Sequence, residues 1–446
     1  MSSFSCLTNA LASLNAQRYG LDVTGQNIAN ANTAGYTRQL AEAGPVPGVP
    51  AMYASQHANS SVTVSGTSRL NDPVIDARAR SEHGRNGNLQ TTAGTVSSVE
   101  ALFDEPSDHG LSEQLNDFWN SWAAVANNPG DAAARNVVLQ KATGLTSSLD
   151  QTSAALDRLT QSVTRQAGAA TDQINTAAAA LAQLNGAIAV ATATGSNTNA
   201  LADQRDGLLM TLSNLSGAQA SIQVDGTATV TVGGKLLVSW TTASSVSLGA
   251  GNQLLVGEPP AGPAGGSLQA LVDGLNSTLP SYGAQLDSVA ATLAATVNSA
   301  QAGGYDLAGD RGGPLFAGST AASLSVVVTN PAALAASGAP GGNLGGSVAL
   351  AMSGLGSSPT GADAGFRRLV GTLATDVQRA DQQASVQQAV TTSVDDLAQS
   401  SAGVSFDEET TNLLTYQRAY QASSRVLSTV DETLDTLISH TGRVGL

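Results

Sequence analysis

Both ends of this chain carry apolar residues at alternating spacings of three and four. The first series is broken only by Arg18, and in the second only Ser423 is polar. Such spacing is typical of helices that pair in a coiled coil, so the two terminal helices are predicted to pair with each other. The positions are Phe4, Leu7, Leu11, Leu14 and Leu21 at the start, and Leu413, Tyr416, Tyr420, Ser423, Leu427, Val430, Leu434 and Leu437 at the end.

The last helix also carries a start signal. Asp407, Glu408 and Glu409 open it, where the positive end of the helix dipole stabilises carboxylates. Ser405 stands three residues before Glu408, which is the spacing of a capping box. We therefore predict that Ser405 is the N-cap of this helix.

Four more helical seams lie between the ends, at 111–125, 145–188, 268–300 and 366–398. The second has no proline from Val138 to Ala191, which predicts one very long helix, and Pro280 predicts a kink in the third. Alternating residues over 222–240 predict hairpins with turns at Asp225-Gly226 and Gly233-Gly234. A further strand is predicted at Leu324–Val328, among Gly/Pro-rich loops.

These elements predict a mainly α fold with small β insertions, in the form of an elongated rod. Residues 1–60 and 402–446 would form a terminal coiled-coil domain. A long helical bundle would comprise 61–205, 265–303 and 362–401. The remaining ranges, 206–264 and 304–361, would form a distal β-rich region.

Composition excludes several classes of function. The net charge is −15 and only 12% of the residues are charged, against about a quarter in an average protein. Because nucleic-acid binding needs Lys and Arg to neutralise phosphates, we expect no nucleic-acid partner. No run of 18 apolar residues occurs, and no signal-peptide pattern opens the sequence, so neither membrane insertion nor a cleaved signal is expected.

No pattern of catalytic or metal-binding residues stands out. The four histidines are scattered, and Cys6 is the single cysteine, so no metal site and no cofactor are expected. The segment 306–312 resembles a calcium loop but has Ala317 at the twelfth position, and we predict a solvated turn. Trp119 and Trp122, three residues apart, are predicted to lie in the core. An enzyme is therefore not expected.

The segment that follows the first helix is rich in asparagine. Asn27, Asn30 and Asn32 would share a polar strip if the helix continued, and Gly35 suits a residue with positive φ at a helix end. From spacing alone two interpretations remain open. The asparagines either cap an ordinary helix end or fix the register between subunits.

The same stretch resembles a known family. Residues 12–39, with the core Asn27-Ile28-Ala29-Asn30-Ala31-Asn32-Thr33-Ala34-Gly35-Tyr36, are similar to the N-terminal signature of bacterial flagellar axial proteins. Residues 202–206 with 232–238, residues 265–307 and residues 401–437 resemble the hook-associated protein 1 family, which joins hook to filament. The resemblance is weakest over 308–360, where the chain is short for the family, so we expect the outer β domain to be reduced.

The resemblance implies a structural subunit of the flagellum whose terminal helices pack with neighbouring subunits and are disordered in the free monomer. Implied partners are copies of itself, the hook protein, the second junction protein and an export chaperone on the C-terminal helix. The implied location is the extracellular flagellum, reached by type III export without a cleaved signal peptide. The implied assembly interface comprises Leu7, Leu11, Leu14, Leu21, Asn27, Ile28, Asn30, Asn32, Gly35, Tyr36, Leu413, Tyr416, Tyr420, Leu427, Val430, Leu434 and Leu437.

Two alternatives remain open at this stage. One is another axial subunit, from the hook or the distal rod. The other, less favoured, is a peptidoglycan hydrolase carried on a flagellar scaffold, for which no catalytic domain with a polar cleft is found in the sequence.

Overall fold

A computed structural model of the chain describes residues 3–45, 62–257, 260–262, 264–341 and 344–441. The rest of the predicted terminal ranges, residues 1–2, 46–61 and 442–446, lies outside the described residues, as does the side chain of Phe4. The helices are α1 (Ser3–Asn30), α2 (Pro73–Phe103), α3 (Leu111–Asn127), α4 (Ala132–Ala193), α5 (Asn199–Ser216), α6 (Gly266–Asp273), α7 (Leu279–Gly303), α8 (Ser347–Ser353), α9 (Ala362–Ala402) and α10 (Phe406–Thr441).

The strands are short and all pair antiparallel. They are β1 (Gln39–Pro45), β2 (Val62–Arg69), β3 (Gln219–Ile222), β4 (Ala228–Val232), β5 (Lys235–Ser239), β6 (Thr242–Ala243), β7 (Val246–Leu248), β8 (Leu254–Val256), β9 (Phe316–Ala317) and β10 (Ser325–Val326). The largest sheet has the order β3-β4-β5-β6, and the pairs β1-β2, β7-β8 and β9-β10 stand separately. This confirms the prediction of a mainly α fold with small β insertions.

The molecule is elongated because one helix is very long. The 62 residues of α4 extend about 93 Å at 1.5 Å per residue. The accessible surface is 22947 Å². A compact 44.5 kDa protein would expose only about 15,600 Å². The predicted rod is therefore confirmed, and so is the single helix through 138–191.

The helical segment 268–300, in which Pro280 predicts a kink, is irregular just before that proline. Between α6 and α7 the chain widens into one π-helical turn, Gly274–Thr278, and Pro280 lies in the first turn of α7. Proline offers no N–H to the preceding turn and its ring crowds a carbonyl there, which disturbs the ladder just before it.

The predicted hairpins form around β4. Ala220 pairs with Val230 and Val230 with Val238, while Gly226, Gly233 and Gly234 take positive φ in the two turns. Alternate residues of β4 are fully buried, so one face of the sheet packs on the bundle.

Three predicted details are wrong. The helix α5 continues to Ser216, so 206–216 is helical and not part of a β-rich region. Strand 324–328 shrinks to the two residues of β10, and 304–361 is mostly loop with the short helix α8. Residues 62–69, placed in the bundle by the sequence, form β2, which pairs with β1.

One continuous apolar core runs through the bundle and the outer sheets. It extends from Val96 to Val377, with Phe118, Trp122 and Phe316 among its largest fully buried side chains. Trp119 and Trp122 are buried there, as predicted. Among the described residues, α1, β1, β2 and α10 contribute nothing to this core. The terminal helices therefore form a unit that attaches to the bundle in another way.

Candidate assembly interface

The terminal helices α1 and α10 pack antiparallel against each other. The hydroxyl oxygens of Ser13 and Ser423 are 3.0 Å apart. Two helical turns further on, Gly20 lies under the ring of Tyr416, where a Cβ would come within 2.7 Å of the ring. Both contacts follow one antiparallel register, which confirms that the terminal helices pair.

The buried seam of α1 is made of small residues rather than leucines. Its positions recur at spacings of three and four, and Ser13 and Gly20 face α10. Small residues let two helix backbones approach closely, and Gly20 does so beneath an aromatic ring. The buried members of this seam are Ala10, Ala16, Gly20, Val23 and Asn27.

The predicted leucine seams lie beside this contact and remain partly in solvent. Leu11 is 51% exposed and Leu437 is 50% exposed. In the register set by Ser13–Ser423 and Gly20–Tyr416, Leu14 comes level with residue 422 and Leu21 with residue 415, so neither lies opposite Leu434 or Leu437 within one chain. The half-buried members are Leu7, Leu14, Leu21, Leu413, Tyr416, Tyr420, Leu427, Val430 and Leu434.

Asn27 holds the chain where it leaves α1. Its side-chain amide donates to the carbonyl of Gln39 at 2.8 Å, and its side-chain oxygen accepts from the Gln39 N–H at 3.0 Å. The same oxygen accepts from the Tyr36 hydroxyl at 2.8 Å. Burial, followed by the charges of Asp203 and Glu409, raises the pKa of Tyr36, so this phenol stays a donor. A single asparagine thus pairs with the main chain as a neighbouring strand would.

The other motif residues behave as helix-end residues. Asn30 donates from its side chain to the carbonyl of Gln26 at 3.0 Å, and Asn32 is exposed. Ile28 is half-buried, and Gly35 takes φ +78° in the turn that follows α1. The helix-end interpretation therefore fits Asn30, while a role of the asparagines in the register between subunits stays a prediction. Asn27 makes a buried tertiary contact, whereas Asn30 makes a local bond in the last turn.

Two arginines at the base of the β1–β2 ribbon were missed by the sequence reasoning. Arg38 binds the first turn of α10 through Glu408 at 2.6 Å and Glu409 at 2.7 Å. Its N–H also donates to the carbonyl of Ala402, the last residue of α9. The N-terminal acids of α10, predicted from the dipole alone, therefore also serve as ion-pair partners. The N-cap is confirmed, since Ser405 Oγ accepts from the Glu408 N–H at 3.4 Å.

Arg69 makes the matching attachment to the bundle. It lies opposite Gln39 in the ribbon and forms ion pairs with Asp203 at 2.8 Å and Asp206 at 2.7 Å, both on α5. Burial raises the pKa of Asp203, and Arg69 opposes this. Asn199 of α5 donates to the Gln39 side chain at 3.2 Å. Polar bonds of this kind, not the apolar core, connect the terminal unit to the bundle.

The sites considered for other chemistry show structural roles. Among the described residues, no group of three or more His, Cys, Asp and Glu side chains could hold a metal ion. His83 pairs with Asp395 at 2.9 Å. Asp306 accepts from the N–H groups of Ala308 and Asp310, which makes the segment 306–312 a turn.

The helix α4 is long and apolar enough to meet the length and hydropathy criteria for a membrane span. The sequence analysis expected no membrane insertion, because it looked for an unbroken apolar run and α4 contains none. Core helices of soluble proteins meet the same criteria, and α4 packs along the bundle with 18 residues buried.

Comparison with protein families assigns most of the chain. Residues 96–316 match the family described as "Flagellar hook-associated protein FlgK helical domain". Residues 398–439 match "Flagellar basal body rod FlgEFG protein C-terminal", and residues 7–37 match "Flagella basal body rod protein". The second and third matches cover most of α10 and α1.

Individual relatives carry one name. The chain is 27% identical to flagellar hook-associated protein 1 of Bacillus subtilis over 99% of both chains. It is 30% identical to flagellar hook-associated protein 1 of Escherichia coli, over 70% of this chain and 60% of that protein. These names describe flagellar structural proteins and not enzymes.

A solved structure shares the fold. The flagellar hook junction protein FlgK from Burkholderia pseudomallei superposes with a TM-score of 0.65 at 17% identity, covering 73% of this chain and all of that one. The family matches at both ends and in the middle, the full-length relative and this shared fold agree. The chain belongs to the hook-associated protein 1 family of bacterial flagellar proteins.

Proposed function

We propose that the chain is a structural subunit that joins the flagellar hook to the filament by packing its terminal helices with those of neighbouring subunits. The proposal rests on the different burial of the two seams of α1. Its small-residue seam is used within the chain, and its leucine seam is left half-exposed beside it. Helices of neighbouring subunits could bury this leucine seam.

The terminal unit, α1 and α10 with the β1–β2 ribbon, exposes several large apolar side chains. Leu11 of α1, Leu414 and Val426 of α10 and Val62 of β2 are each at least 40% exposed. Leu11 also lines an open groove of about 480 Å³ between α1 and β2. Contiguous exposed apolar surface marks a site of protein–protein contact.

Assembly would also order the terminal helices. Isolated helix pairs are marginal in water, and the apolar core stops short of α1 and α10. The free monomer would therefore fluctuate at its ends, and neighbours would bury the leucine seams. Amide hydrogen exchange on the full-length chain tests this. Fast exchange throughout α1 and α10 in the monomer, with protection in isolated flagella, is expected, and equal protection in both would refute it.

The neighbours would be copies of the chain, the hook protein and the second junction protein. Before assembly the exposed side of α10 would be covered by an export chaperone, since Leu414 and Val426 lie 50% or more in solvent. The chain would leave the cell through the flagellar type III apparatus. The net charge of −15 would help to keep free monomers apart.

Deletion of the gene tests the junction role. We expect intact hooks on the cells and filament protein released into the medium. Missing hooks would instead identify a hook or distal-rod subunit. Clearing of cell-wall substrate in a zymogram by the purified chain would support the hydrolase.

A further inference from the structure

The second half of α4 presents a face without charge on a chain of net charge −15. No Asp, Glu, Lys or Arg occurs between Asp172 and Asp203, a range that covers the rest of α4 and the start of α5. Two copies of an acidic chain repel each other over most of their surfaces. They approach at least electrostatic cost where both surfaces are neutral.

This face contains an open groove between α4 and α5. It encloses about 580 Å³ and is lined by Ala180, Leu184 and Ala187 of α4 and by Gln204, Gly207 and Leu208 of α5. Gly207 is one of these lining residues, and a Cβ there would meet no atom within 4 Å, so a side chain at this position would have open space beside it. The volume lies within the range of about 300–1,000 Å³ that accommodates a small ligand or a large side chain.

On the other side of α4 a tryptophan projects into solvent. Trp240 is 56% exposed, in the turn between β5 and β6, and its φ of +53° is a conformation that favours glycine. Its carbonyl accepts from the side chain of Asn185, a fully buried residue of α4, at 2.8 Å. The backbone of Trp240 is therefore held in place by this hydrogen bond. Its positive φ would suit glycine better than tryptophan.

The turn that carries Trp240 and the groove lie at one height on opposite faces of α4. Successive helix residues are about 100° apart, so Ala180 and Ala187 point roughly half a turn away from Asn185, which anchors Trp240. A copy placed beside the first at the same level brings its Trp240 to the first copy's groove. This contact uses two different surfaces and repeats from copy to copy, as the contacts of rings and helical tubes do.

We propose that Trp240 of one copy inserts into the α4/α5 groove of the next, and that this is a lateral contact between subunits. No Asp, Glu, Lys or Arg side chain lines the groove, and the indole is uncharged, so two copies of this acidic chain can approach there without charge repulsion. The inference deepens the proposed function by naming one contact of the assembly, and it rests on that function.

Disulfide trapping in flagella tests the contact. In a Cys6→Ser background, Thr241→Cys is combined with Gly207→Cys, and flagella isolated from cells that express this variant are oxidised. We expect a ladder of dimers, trimers and higher species on a non-reducing gel. The matched control replaces Thr241→Cys by Leu236→Cys, which is also exposed but lies at the opposite end of β5, and should stay monomeric.

Flagella that contain the variant without a ladder, or with an equal ladder in the control, would overturn the inference and leave the proposed function standing. Absence of the unmodified chain from flagella would instead refute the proposed function. Adding Trp240→Gly should weaken the ladder at least fivefold while the melting temperature of the purified chain stays equal or rises, because glycine adopts φ +53° freely. An undiminished ladder, or a fall in melting temperature, would overturn the role of Trp240.

Discussion

Asn27 is predicted to be the side chain on which the exit from α1 depends. Asn27→Ala removes three hydrogen bonds at once, two to the main chain of Gln39 and one to the Tyr36 hydroxyl. Gln39 is 8% exposed, so water cannot replace these partners freely. The ribbon would then lose its attachment to α1 while the bundle core stays intact.

The magnitude follows from the groups left unpaired. Each buried main-chain group without a partner costs about 1–3 kcal/mol, and the lost Tyr36 bond adds roughly 1 kcal/mol. Allowing for relaxation, we expect about 3 kcal/mol for local opening, or roughly a 100-fold increase in exchange rate. Tyr36→Phe removes one bond and should raise exchange only about fivefold.

Amide hydrogen exchange over residues 38–44, read by mass spectrometry, measures this opening directly. Asn32→Ala is the matched control, since Asn32 is exposed on the same motif and should leave exchange unchanged. Equal exchange in Asn27→Ala and the unmodified chain would refute the reasoning. So would an effect of Asn27→Ala no larger than that of Tyr36→Phe.

Three further predictions concern the bundle. Gly87→Ala places a Cβ 2.5 Å from a backbone carbonyl of α5 and should lower stability by about 1–3 kcal/mol in urea unfolding, whereas Gly94→Ala, with open space around it, should be neutral or stabilising. Trp119→Phe removes the donor to buried Asp363, costing about 1.5–3 kcal/mol at pH 7. Burial already raises the pKa of Asp363, so this deficit should shrink as the pH falls and the carboxyl protonates. Burial also raises the pKa of Tyr282, so stability should fall as the pH rises above 10, where the unfolded phenol ionises, and Tyr282→Phe should reduce that slope in pH-dependent melts.

The sequence predicted the parts of the fold that repeat at short range. The seam of α3 and the unbroken run through α4 depend on residues three and four apart, and both helices form as expected. The hairpins around β4 also form, because their turn glycines lie between the paired strands.

Contacts between distant segments could not be read in this way. The strands β1 and β2 are separated by 16 residues, too many for a tight hairpin turn, and their residues alternate poorly, so no local pattern predicts the pair. Arg38 and Arg69 form their ion pairs only with α10 and α5, which are distant in sequence, so their roles could not be predicted from local patterns. Helical periodicity points to large apolar residues, so the leucines of α1 masked the smaller seam through Ala16 and Gly20 that is actually buried.

Asparagines close together in the motif also have different roles. Asn27 and Asn30 differ by less than one helical turn, yet only Asn27 reaches the ribbon. Which of them would be buried depended on where β1 runs, and that was not predictable from the motif.

Electron microscopy of flagella that carry an epitope-labelled copy of this chain tests the central claim most directly. The account predicts that the label is confined to a narrow band where the hook meets the filament. Label spread along the hook, or confined to the rod, would contradict the junction role.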